Sequence, residues 1–387
     1  MRKEQNRLLK DAPLKTKFLV SILKMFRFPE LPQKPKTGKW YRISLPDCVT
    51  ASGDVTHGAI RIGTENKLIV MFHGGGVSWN EYMAARPESI YRETTDQRFY
   101  ASESDLIADL VTGHGVAGSK GDNPFRNWTV ISIIYNTGDF HVGTNDYPYV
   151  DLDGKQQVLR HHGYTNYREV MKEAMKWIHN SPEKILVTGF SAGGFGTALL
   201  TDDVIKLFPD CQDITCYPDS SFMLYDGWHE AAEHVWKAPK EICDRLHSNN
   251  LTLDCLQALK KEHGDRVKIL FSCSTRDSAL SMYWNYVKSG RLFADKETGL
   301  QFQKDLKTMC EQMLDTIPNV GIYFFDTLVS EKSSKELREA ELTEHCIGLS
   351  KNAEILRVDG KTVVEWVWNG VNGNSELIGM SLLDKSN

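Results

Sequence analysis

A short turn of small residues is the part of this sequence best suited to chemistry. Gly189-Phe190-Ser191-Ala192-Gly193 has the spacing G-x-S-x-G, follows the apolar run 184–188 and precedes a helical pattern over residues 197–204. In a strand-turn-helix setting the serine is held in a strained conformation at a helix N-terminus, where free N–H groups favour a developing anion. A turn that only caps an ordinary helix is the alternative. The context favours Ser191 as a nucleophile.

Three consecutive glycines lie far upstream of this turn. His73-Gly74-Gly75-Gly76 comes directly after the apolar run 67–72. Such a loop can aim backbone N–H groups at the oxyanion of a tetrahedral intermediate, because glycine lets the backbone approach closely. We predict that the N–H groups of Gly75, Gly76 and Ala192 form this oxyanion hole. A phosphate-binding loop is disfavoured, since no Gly-Lys-Ser/Thr or GxGxxG pattern follows, and His73 is predicted to be structural.

A serine nucleophile needs a base, and the base needs an acid that orients it. In the chain order Ser, Asp, His, the candidates are Asp277, after the apolar run 267–271, and His345, after the run 320–325. Three rival residues remain open: Asp326 as the acid, Glu344 as an acid of awkward geometry, and His263 as a base. His263 precedes the strand of the acid and is predicted to lie on the surface.

Short apolar runs alternate with helical patterns along the chain. Five runs read as strands: residues 67–72, 128–135, 184–188, 267–271 and 320–325. Near-continuous apolar strands indicate a sheet that is covered on both faces, and strand-helix alternation indicates mostly parallel pairing. The predicted fold class is therefore α/β, of the α/β-hydrolase type, with a mostly parallel central sheet and helices on both faces.

The chain shows no repeat and no long Gly/Ser/Pro linker. We predict an N-terminal helical arm over residues 1–35, ending in Pro29, Pro32 and Pro35, and a single catalytic domain over residues 36–387. Residues 80–120 and 278–318 are predicted insertions that form a cap or the walls of the cleft. Near the end, a hairpin after residues 353–358 competes with a closing helix over 361–368, and the helix is slightly preferred.

Composition sets limits on partners and compartment. The chain has 387 residues, 41% apolar, with a net charge of −5, so nothing global favours binding to nucleic acid. The eight cysteines are scattered without a CxxC pair, as expected for free thiols in a reducing compartment. The apolar run 18–23 is too short for a signal peptide or a membrane span. We expect a cytoplasmic enzyme; the minority interpretation of residues 2–27 is a basic helix lying on a membrane surface.

Several segments match the motifs of one known family. Residues 72–76 look like its Leu-Glu-Gly-Gly-Gly loop, residues 135–140 like its Tyr-Cys-Asp-Gly-Ser-Ser-Phe element, and residues 189–194 like its Ser-Ala-Gly-Gly elbow. Further matches are Asp202, the strand end 216–222, Arg276-Asp277 and His345-Cys346. Together these resemble the pectin acetylesterase family, which includes the animal Notum carboxylesterases.

The resemblance covers roughly residues 65–370. It implies Ser191, Asp277 and His345 as the triad and an acetyl ester as the substrate. The chain departs from the family at Val77-Ser78, where the family has Trp-Cys, and it lacks most of the family's disulfide cysteines. We also expect no secretion signal, which a polysaccharide-degrading member would need. These departures weaken polymeric pectin as the substrate and favour an oligosaccharide or another small acyl ester.

Polar and aromatic residues near the strand ends are candidates for the substrate pocket. Aromatic rings there can stack on a sugar, and amide or carboxyl groups can bind hydroxyls. The predicted set is Trp79, Tyr135, Asn136, Asp139, Phe222 and Trp284. Each of them taken singly is better explained as packing or loop structure. No metal site is predicted and no cofactor is expected, because His161-His162 lack further ligands at a suitable spacing.

The predicted function is hydrolysis of an acetyl or other short acyl ester, on a glycan or oligosaccharide, through an acyl-enzyme. The nearest enzymatic alternative is a lipid or protein-acyl deacylase of the Notum type. The alternative from another class is a non-catalytic carbohydrate-binding protein that retains the fold.

Overall fold

The computed structural model describes residue 10 and residues 12–89, 97–103, 105–331 and 333–385, with the side chains of 105–107 left aside. Most of the first eleven residues of the expected N-terminal arm, and part of the expected insertion 80–120, lie outside this description. The division into an arm and one catalytic domain therefore stays a prediction.

A nine-stranded sheet forms the centre of the molecule. Its strands in chain order are β1 Trp40–Val49, β2 Val55–Arg61, β3 Lys67–Phe72, β4 Thr129–Ile133, β5 Lys184–Phe190, β6 Ile214–Asp219, β7 Val267–Ser274, β8 Gly321–Phe325 and β9 Leu377–Ile378. Their order across the sheet is β1-β2-β4-β3-β5-β6-β7-β8-β9. Strand β2 pairs antiparallel with β1 and with β4, and all the other neighbours are parallel.

Both faces of the sheet are buried, as the near-continuous apolar strands predict. Along β3, Leu68, Val70 and Phe72 point into one core, while Ile69 and Met71 point into a second core on the opposite face. This alternation is the two-residue period of a strand. The fold class predicted from the sequence, an α/β-hydrolase-like sheet with helices on both faces, is confirmed.

Eight helices have at least seven residues among the described parts of the chain. They are α1 Leu14–Met25, α2 Asp105–Val111, α3 Gly163–Ala174, α4 Ala192–Leu207, α5 Leu251–His263, α6 Ser278–Ser289, α7 Lys296–Thr316 and α8 Val363–Val371. Helices α3, α4, α5 and α7 bury apolar side chains in the first core, and α8 buries Trp366 and Val367 in the second. Shorter turns of helix lie at Glu81–Ala84, Gly115–Ala117, Met175–Trp177, Trp228–Glu230, Ala231–Trp236, Lys240–Cys243, Gly264–Arg266, Lys335–Glu339, Lys351–Glu354 and Met380–Asp384.

The remaining strands form three two-stranded ribbons outside the main sheet. Asn145–Val150 pairs antiparallel with Gln156–His161, Arg357–Val358 pairs antiparallel with Lys361–Thr362, and Pro87–Glu88 pairs parallel with Tyr100–Ala101. The C-terminal segment therefore contains both alternatives considered from the sequence. A tight hairpin leads directly into α8, whose start Thr362 caps with Glu365 in a capping box.

Two further features concern membrane-spanning helices and the cysteines. None of the helices in the described parts is long and apolar enough to cross a membrane. All eight cysteines are free, and seven of them are buried.

Candidate active site

Ser191 occupies the turn between β5 and α4 at the carboxyl end of the sheet. Its backbone has φ 55° and ψ −127°, a conformation that costs a non-glycine residue about 1–3 kcal/mol. Its side chain does not cap α4 and is not fully buried. The strain is held by hydrogen bonds on both sides: the Ser191 N–H donates to the Asp219 carbonyl at 3.0 Å, and its own carbonyl accepts from Gly194 at 2.8 Å. The serine hydroxyl is thereby presented at the start of a helix.

The glycines around Ser191 are required by contacts with the main chain. A Cβ at Gly189 would lie 2.3 Å from the Gly193 carbonyl oxygen, and one at Gly193 would lie 2.0 Å from the Phe72 carbonyl oxygen. A Cβ at Gly74 would lie 2.7 Å from Cβ of Ser191. Since β3 and β5 are neighbours in the sheet, these clashes show how closely the glycine loop and the serine turn approach each other.

We expect the Gly193→Ala substitution to lower kcat by about 100-fold or more, because the main chain of β3 cannot yield and the serine must move by an appreciable fraction of an ångström. Gly113→Ala is the matched control, since its Cβ would meet only Nε1 of Trp40 at an ordinary 3.5 Å. Ester hydrolysis and thermal unfolding of both proteins provide the measurement. A Gly193→Ala protein as active as the Gly113→Ala protein would contradict the steric argument.

The glycine loop after β3 offers free backbone donors. Among the described residues, the N–H groups of Gly75, Gly76 and Ala192 donate no hydrogen bond, although the neighbouring Gly75 carbonyl accepts from Ala101 at 2.7 Å. Gly76 has φ 73°, and a Cβ there would lie 2.0 Å from the Phe99 carbonyl oxygen. These three N–H groups have the freedom that an oxyanion hole needs, and their assignment to that role stays a prediction.

Two histidines and a tyrosine support this loop. His73 is buried, and its Nε2 lies 2.9 Å from the Ser132 hydroxyl and 3.1 Å from that of Thr112. The His141 ring donates to the His73 carbonyl at 2.8 Å, and the Tyr135 hydroxyl donates to the Gly76 carbonyl at 2.9 Å. Burial lowers the pKa of His73 to about 3 and that of His141 to about 4, so both rings are neutral near pH 7. Neutral imidazoles can fix the loop without adding charge.

Asp277 and His345, the acid and the base predicted from the sequence, lie in hydrogen-bond contact. Nδ1 of His345 lies 2.8 Å from Oδ2 of Asp277. The other carboxylate oxygen of Asp277 accepts the N–H groups of Ala279 and Leu280 and so caps α6, which fixes the acid in place. Thr343, two residues before the histidine, bonds through its backbone to Arg276 and Ser278. The acid and the base are thus held by the same pair of crossing segments.

The environment of His345 suits a general base. Nε2, the ring nitrogen opposite the one that faces Asp277, is buried and has no hydrogen-bond partner among the described residues. Burial lowers the pKa of His345, but the charge and hydrogen bond of Asp277, with the charge of Asp219, outweigh it and raise the pKa above its usual value. A ring oriented by a carboxylate and free at Nε2 can accept a serine proton.

The rival residues lie in other surroundings. Asp326 pairs with Lys385 at 2.6 Å in a partly exposed ion pair, and the Glu344 carboxylate accepts from the Asn352 amide at 3.0 Å. His263, at the end of α5, contacts Asp202 at 2.7 Å. Each rival is engaged elsewhere, which leaves Asp277 as the partner of His345.

The predicted substrate residues are not brought together in one exposed pocket. Asn136 and Asp139 are fully buried, and both oxygens of Asp139 accept backbone N–H groups, from His141 at 3.1 Å and from Gly163 at 2.7 Å. In this structure these two side chains support the loop after β4 rather than face a ligand. Phe222 is also fully buried, and Trp284 donates its Nε1 to Asp305 at 2.8 Å.

Trp79 and Tyr135 do adjoin the glycine loop. The Trp79 ring packs against a group of aromatic rings contributed by the segment after β6 and by α6. Their centroids lie 5.0–6.5 Å from that of Trp79, and they are Tyr225, Trp228, Tyr283 and Tyr286. A role of these residues in binding a sugar stays a prediction.

One group of side chains among the described residues has metal-ligand spacing, namely Asp202, Glu262 and His263. The Asp202 carboxylate already contacts three cationic or ring groups, from Lys206 at 2.8 Å, Arg245 at 2.7 Å and His263 at 2.7 Å. Burial raises the pKa of Asp202, but these three hydrogen bonds outweigh it and lower the pKa to about 2. The charge of this ionised carboxylate is balanced by its cationic partners, so Asp202 is better described as the centre of a structural ion-pair cluster.

Three residues beside the site were not among the site residues predicted from the sequence, although Asp219 lies in the matched segment 216–222. They are Asp219, which contacts both the serine turn and the histidine loop, His141, which holds the glycine loop, and Tyr283, which lies over Gly76. His141 and its neighbour Phe140 both have positive φ, at 67° and 49°. A pair of non-glycine residues in this region is uncommon and could have been noticed only in a structure.

Sheet order, serine turn and glycine loop define an α/β-hydrolase-like protein of the esterase class. A sequence model of the pectinacetylesterase family matches residues 59–273, more than half of the chain. The chain therefore belongs to the pectinacetylesterase family and is a carboxylic ester hydrolase. The matched segment contains the glycine loop and the serine turn and ends before Asp277 and His345, so the pairing of those two residues rests on the geometry.

Proposed function

We propose that the protein hydrolyses acetyl or other short acyl esters of a carbohydrate through a Ser191-His345-Asp277 triad. The observation that carries the proposal is the 2.8 Å contact between His345 and Asp277, with Nε2 of the ring left unpartnered. The proposal is supported further by the strained serine at the start of α4 and by the free N–H groups beside it. Membership of a family of carbohydrate acetylesterases supports the acyl group and the substrate class.

In the first half of the reaction, Oγ of Ser191 attacks the ester carbonyl carbon while Nε2 of His345 accepts the hydroxyl proton. The tetrahedral oxyanion accepts hydrogen bonds from the N–H groups of Gly75, Gly76 and Ala192. Collapse of the intermediate breaks the bond to the alcohol, which takes the proton from His345, and leaves an acyl-serine. Each donor of this kind typically contributes about 3 kcal/mol to the transition state.

In the second half, water attacks the acyl-serine and gives its proton to Nε2 of His345. The new oxyanion occupies the same hole, and its collapse releases the carboxylic acid and returns the proton to Ser191. Asp277 keeps Nδ1 protonated throughout and stabilises the imidazolium that forms twice in the cycle. These steps need no metal or redox cofactor.

A short acyl group is supported by the crowding around the glycine loop. A Cβ at Gly75 would already lie 3.0 Å from the Tyr135 ring and 3.1 Å from Ala101, and one at Gly76 would lie 2.7 Å from the Tyr283 hydroxyl. The aromatic rings around Trp79 pack against one another three residues beyond Gly76. A lipid or protein-acyl deacylase would need a long apolar channel beside the serine.

The test is hydrolysis of p-nitrophenyl acetate, butyrate and octanoate, together with acetate release from acetylated oligosaccharides. We expect kcat/KM to fall by about tenfold or more from acetate to octanoate, because the added methylene groups would meet the crowded glycine loop. Preference for octanoate would move the substrate to lipids or acylated proteins. Failure of Ser191 to react with a fluorophosphonate probe would instead favour the non-catalytic carbohydrate-binding protein.

We also propose a reducing compartment, with the cytoplasm as the expected location, because eight free thiols persist best where disulfides are kept reduced. Fractionation of the producing cells checks this location.

A further inference from the structure

Asp219, at the end of β6, is a buried carboxylate with four hydrogen-bond donors around it. Oδ1 accepts the Ser272 hydroxyl at 2.7 Å and the Ser220 hydroxyl at 3.2 Å. Oδ2 accepts the backbone N–H groups of Ile347 at 2.9 Å and Gly348 at 2.7 Å. Burial raises the pKa of Asp219 above its usual value, while the hydrogen bonds from Ser272, Gly348 and Ile347 act in the opposite direction. Because four donors and no acceptor surround the carboxylate, the geometry favours its ionised form, which only accepts. Asp219 therefore places a negative charge beneath the loop that carries His345.

The same residue also holds the serine turn. The Asp219 carbonyl accepts the Ser191 N–H at 3.0 Å, and a Cβ at Gly194 would lie 2.4 Å from that carbonyl. Ile347 and Gly348 follow His345 by two and three positions, after Cys346, whose φ of 66° turns the chain sharply. A single residue thus connects the nucleophile through its main chain and the base through its side chain.

Few charged groups of the described residues lie around His345. Asp277 faces Nδ1 of the ring from the start of α6, and Asp219 acts on the ring from the end of β6. The Glu344 carboxylate precedes the ring in the chain but turns toward Asn352. Two nearby thiols stay neutral at pH 7 because burial raises their pKa values well above the usual value: Cys273 and Cys346. Asp219 is therefore the second negative charge that the histidine experiences.

We propose that Asp219 is a positioning residue of the hydrolytic site, which fixes the His345 loop against the serine turn and stabilises the imidazolium as a second carboxylate behind Asp277. This inference rests on the proposed function, since it assigns Asp219 a role in the same proton transfer. Fixing the His345 loop depends on hydrogen bonds, whereas stabilising the imidazolium depends on charge. Substitutions at Asp219 can therefore separate the two effects.

Asp219→Asn removes the charge and keeps the shape. The amide oxygen can still accept from Ile347 and Gly348, while the amide nitrogen donates to Ser272. Because the imidazolium loses a stabilising charge, we expect the acid limb of the kcat/KM profile to move to lower pH by roughly 0.5–1 unit, and kcat to fall about tenfold. KM for p-nitrophenyl acetate should change little.

Asp219→Ala removes the charge and the acceptor together. The N–H groups of Ile347 and Gly348 then lose their partner, the histidine loop shifts, and we expect kcat to fall by about 100-fold or more. Ser272→Ala serves as the variant that keeps the charge but removes one donor, with an expected decrease in kcat of roughly fivefold. If substitutions of Asp219 prevent folding, the Ser272→Ala protein still tests the role of the Asp219 carboxylate.

Asp213→Asn is the matched control, because Asp213 lies just before the opposite end of β6 and pairs with Lys184 and Lys268. It should lower the unfolding temperature without moving the acid limb. The inference is overturned if Asp219→Asn leaves the acid limb in place, if its losses merely follow its unfolding temperature, or if Ser272→Ala has full activity. Activity retained by Ser191→Ala would instead overturn the proposed function itself.

Discussion

Replacement of Ser191 by alanine is expected to lower kcat for p-nitrophenyl acetate by roughly 10⁵- to 10⁶-fold, to the residual rate that oriented binding and an oxyanion hole can supply. The fold should be unaffected, because the Ser191 side chain does not cap α4 and the backbone bonds to Asp219 and Gly194 do not involve it.

The measurement is steady-state and single-turnover hydrolysis, with labelling by a fluorophosphonate probe. Ser289→Ala is the matched control, since Ser289 is an exposed serine at the end of α6 whose hydroxyl bonds only locally, to Asn285 and to the Arg291 N–H. Full labelling is expected in the control and none in the Ser191→Ala protein. A Ser191→Ala protein that hydrolyses acetate as the control does would mean that the serine turn is not the catalytic centre.

Asp277→Asn is expected to give the second-largest loss, about 10⁴-fold in kcat. An asparagine caps a helix as well as an aspartate, so the bonds from Ala279 and Leu280 can persist and α6 should begin at the same residue. The amide nitrogen would then face Nδ1 of His345 and favour the tautomer with its proton on Nε2, where the base must be free. Loss of the neighbouring charge also lowers the pKa of the imidazole.

Asp326→Asn tests the rival acid in the same experiment. Its carboxylate pairs with Lys385 near the surface, so its loss should change kcat less than twofold. The comparison needs the pH profile of both proteins, because the raised pKa of His345 predicts an acid limb above the usual value of about 6.5 in the wild type and in Asp326→Asn. A larger loss in Asp326→Asn than in Asp277→Asn would reverse the assignment of the acid.

Strands buried on both faces were predictable from sequence, because their apolar runs are almost uninterrupted. The prediction for β3 matches the observed residues 67–72, and β5, β7 and β8 are found within three residues of their predicted ends. Strand β6 was not among the five apolar runs, and only the family resemblance indicated a strand end at 216–222. Thr215, Pro218 and Asp219 break its apolar run, yet all are buried between β5 and β7. The antiparallel strands β1 and β2 were missed as well, since Arg42, Arg61 and His57 are polar residues buried by tertiary partners.

Two segments of the candidate site could be predicted from short stretches of sequence. The conformations of the serine turn and the glycine loop depend on their own glycines, so these glycines and their places after apolar strands were enough to predict where the two segments lie. The order of Asp277 and His345 along the chain was likewise sufficient to propose a pair, because residues at the carboxyl ends of parallel strands meet at one edge of the sheet. Sequence alone left Asp326, Glu344 and His263 as rivals.

What only the tertiary structure decided is how these segments are held together. The 2.8 Å contact that selects Asp277, the ion pair that occupies Asp326 and the burial of Asn136 and Asp139 all join residues far apart in the chain. Asp219 is the clearest case, since its carbonyl meets a serine 28 positions before it and its carboxylate meets an N–H group 128 positions after it. Contacts of that separation depend on the packing of strands and loops, and no local pattern of residue types encodes them.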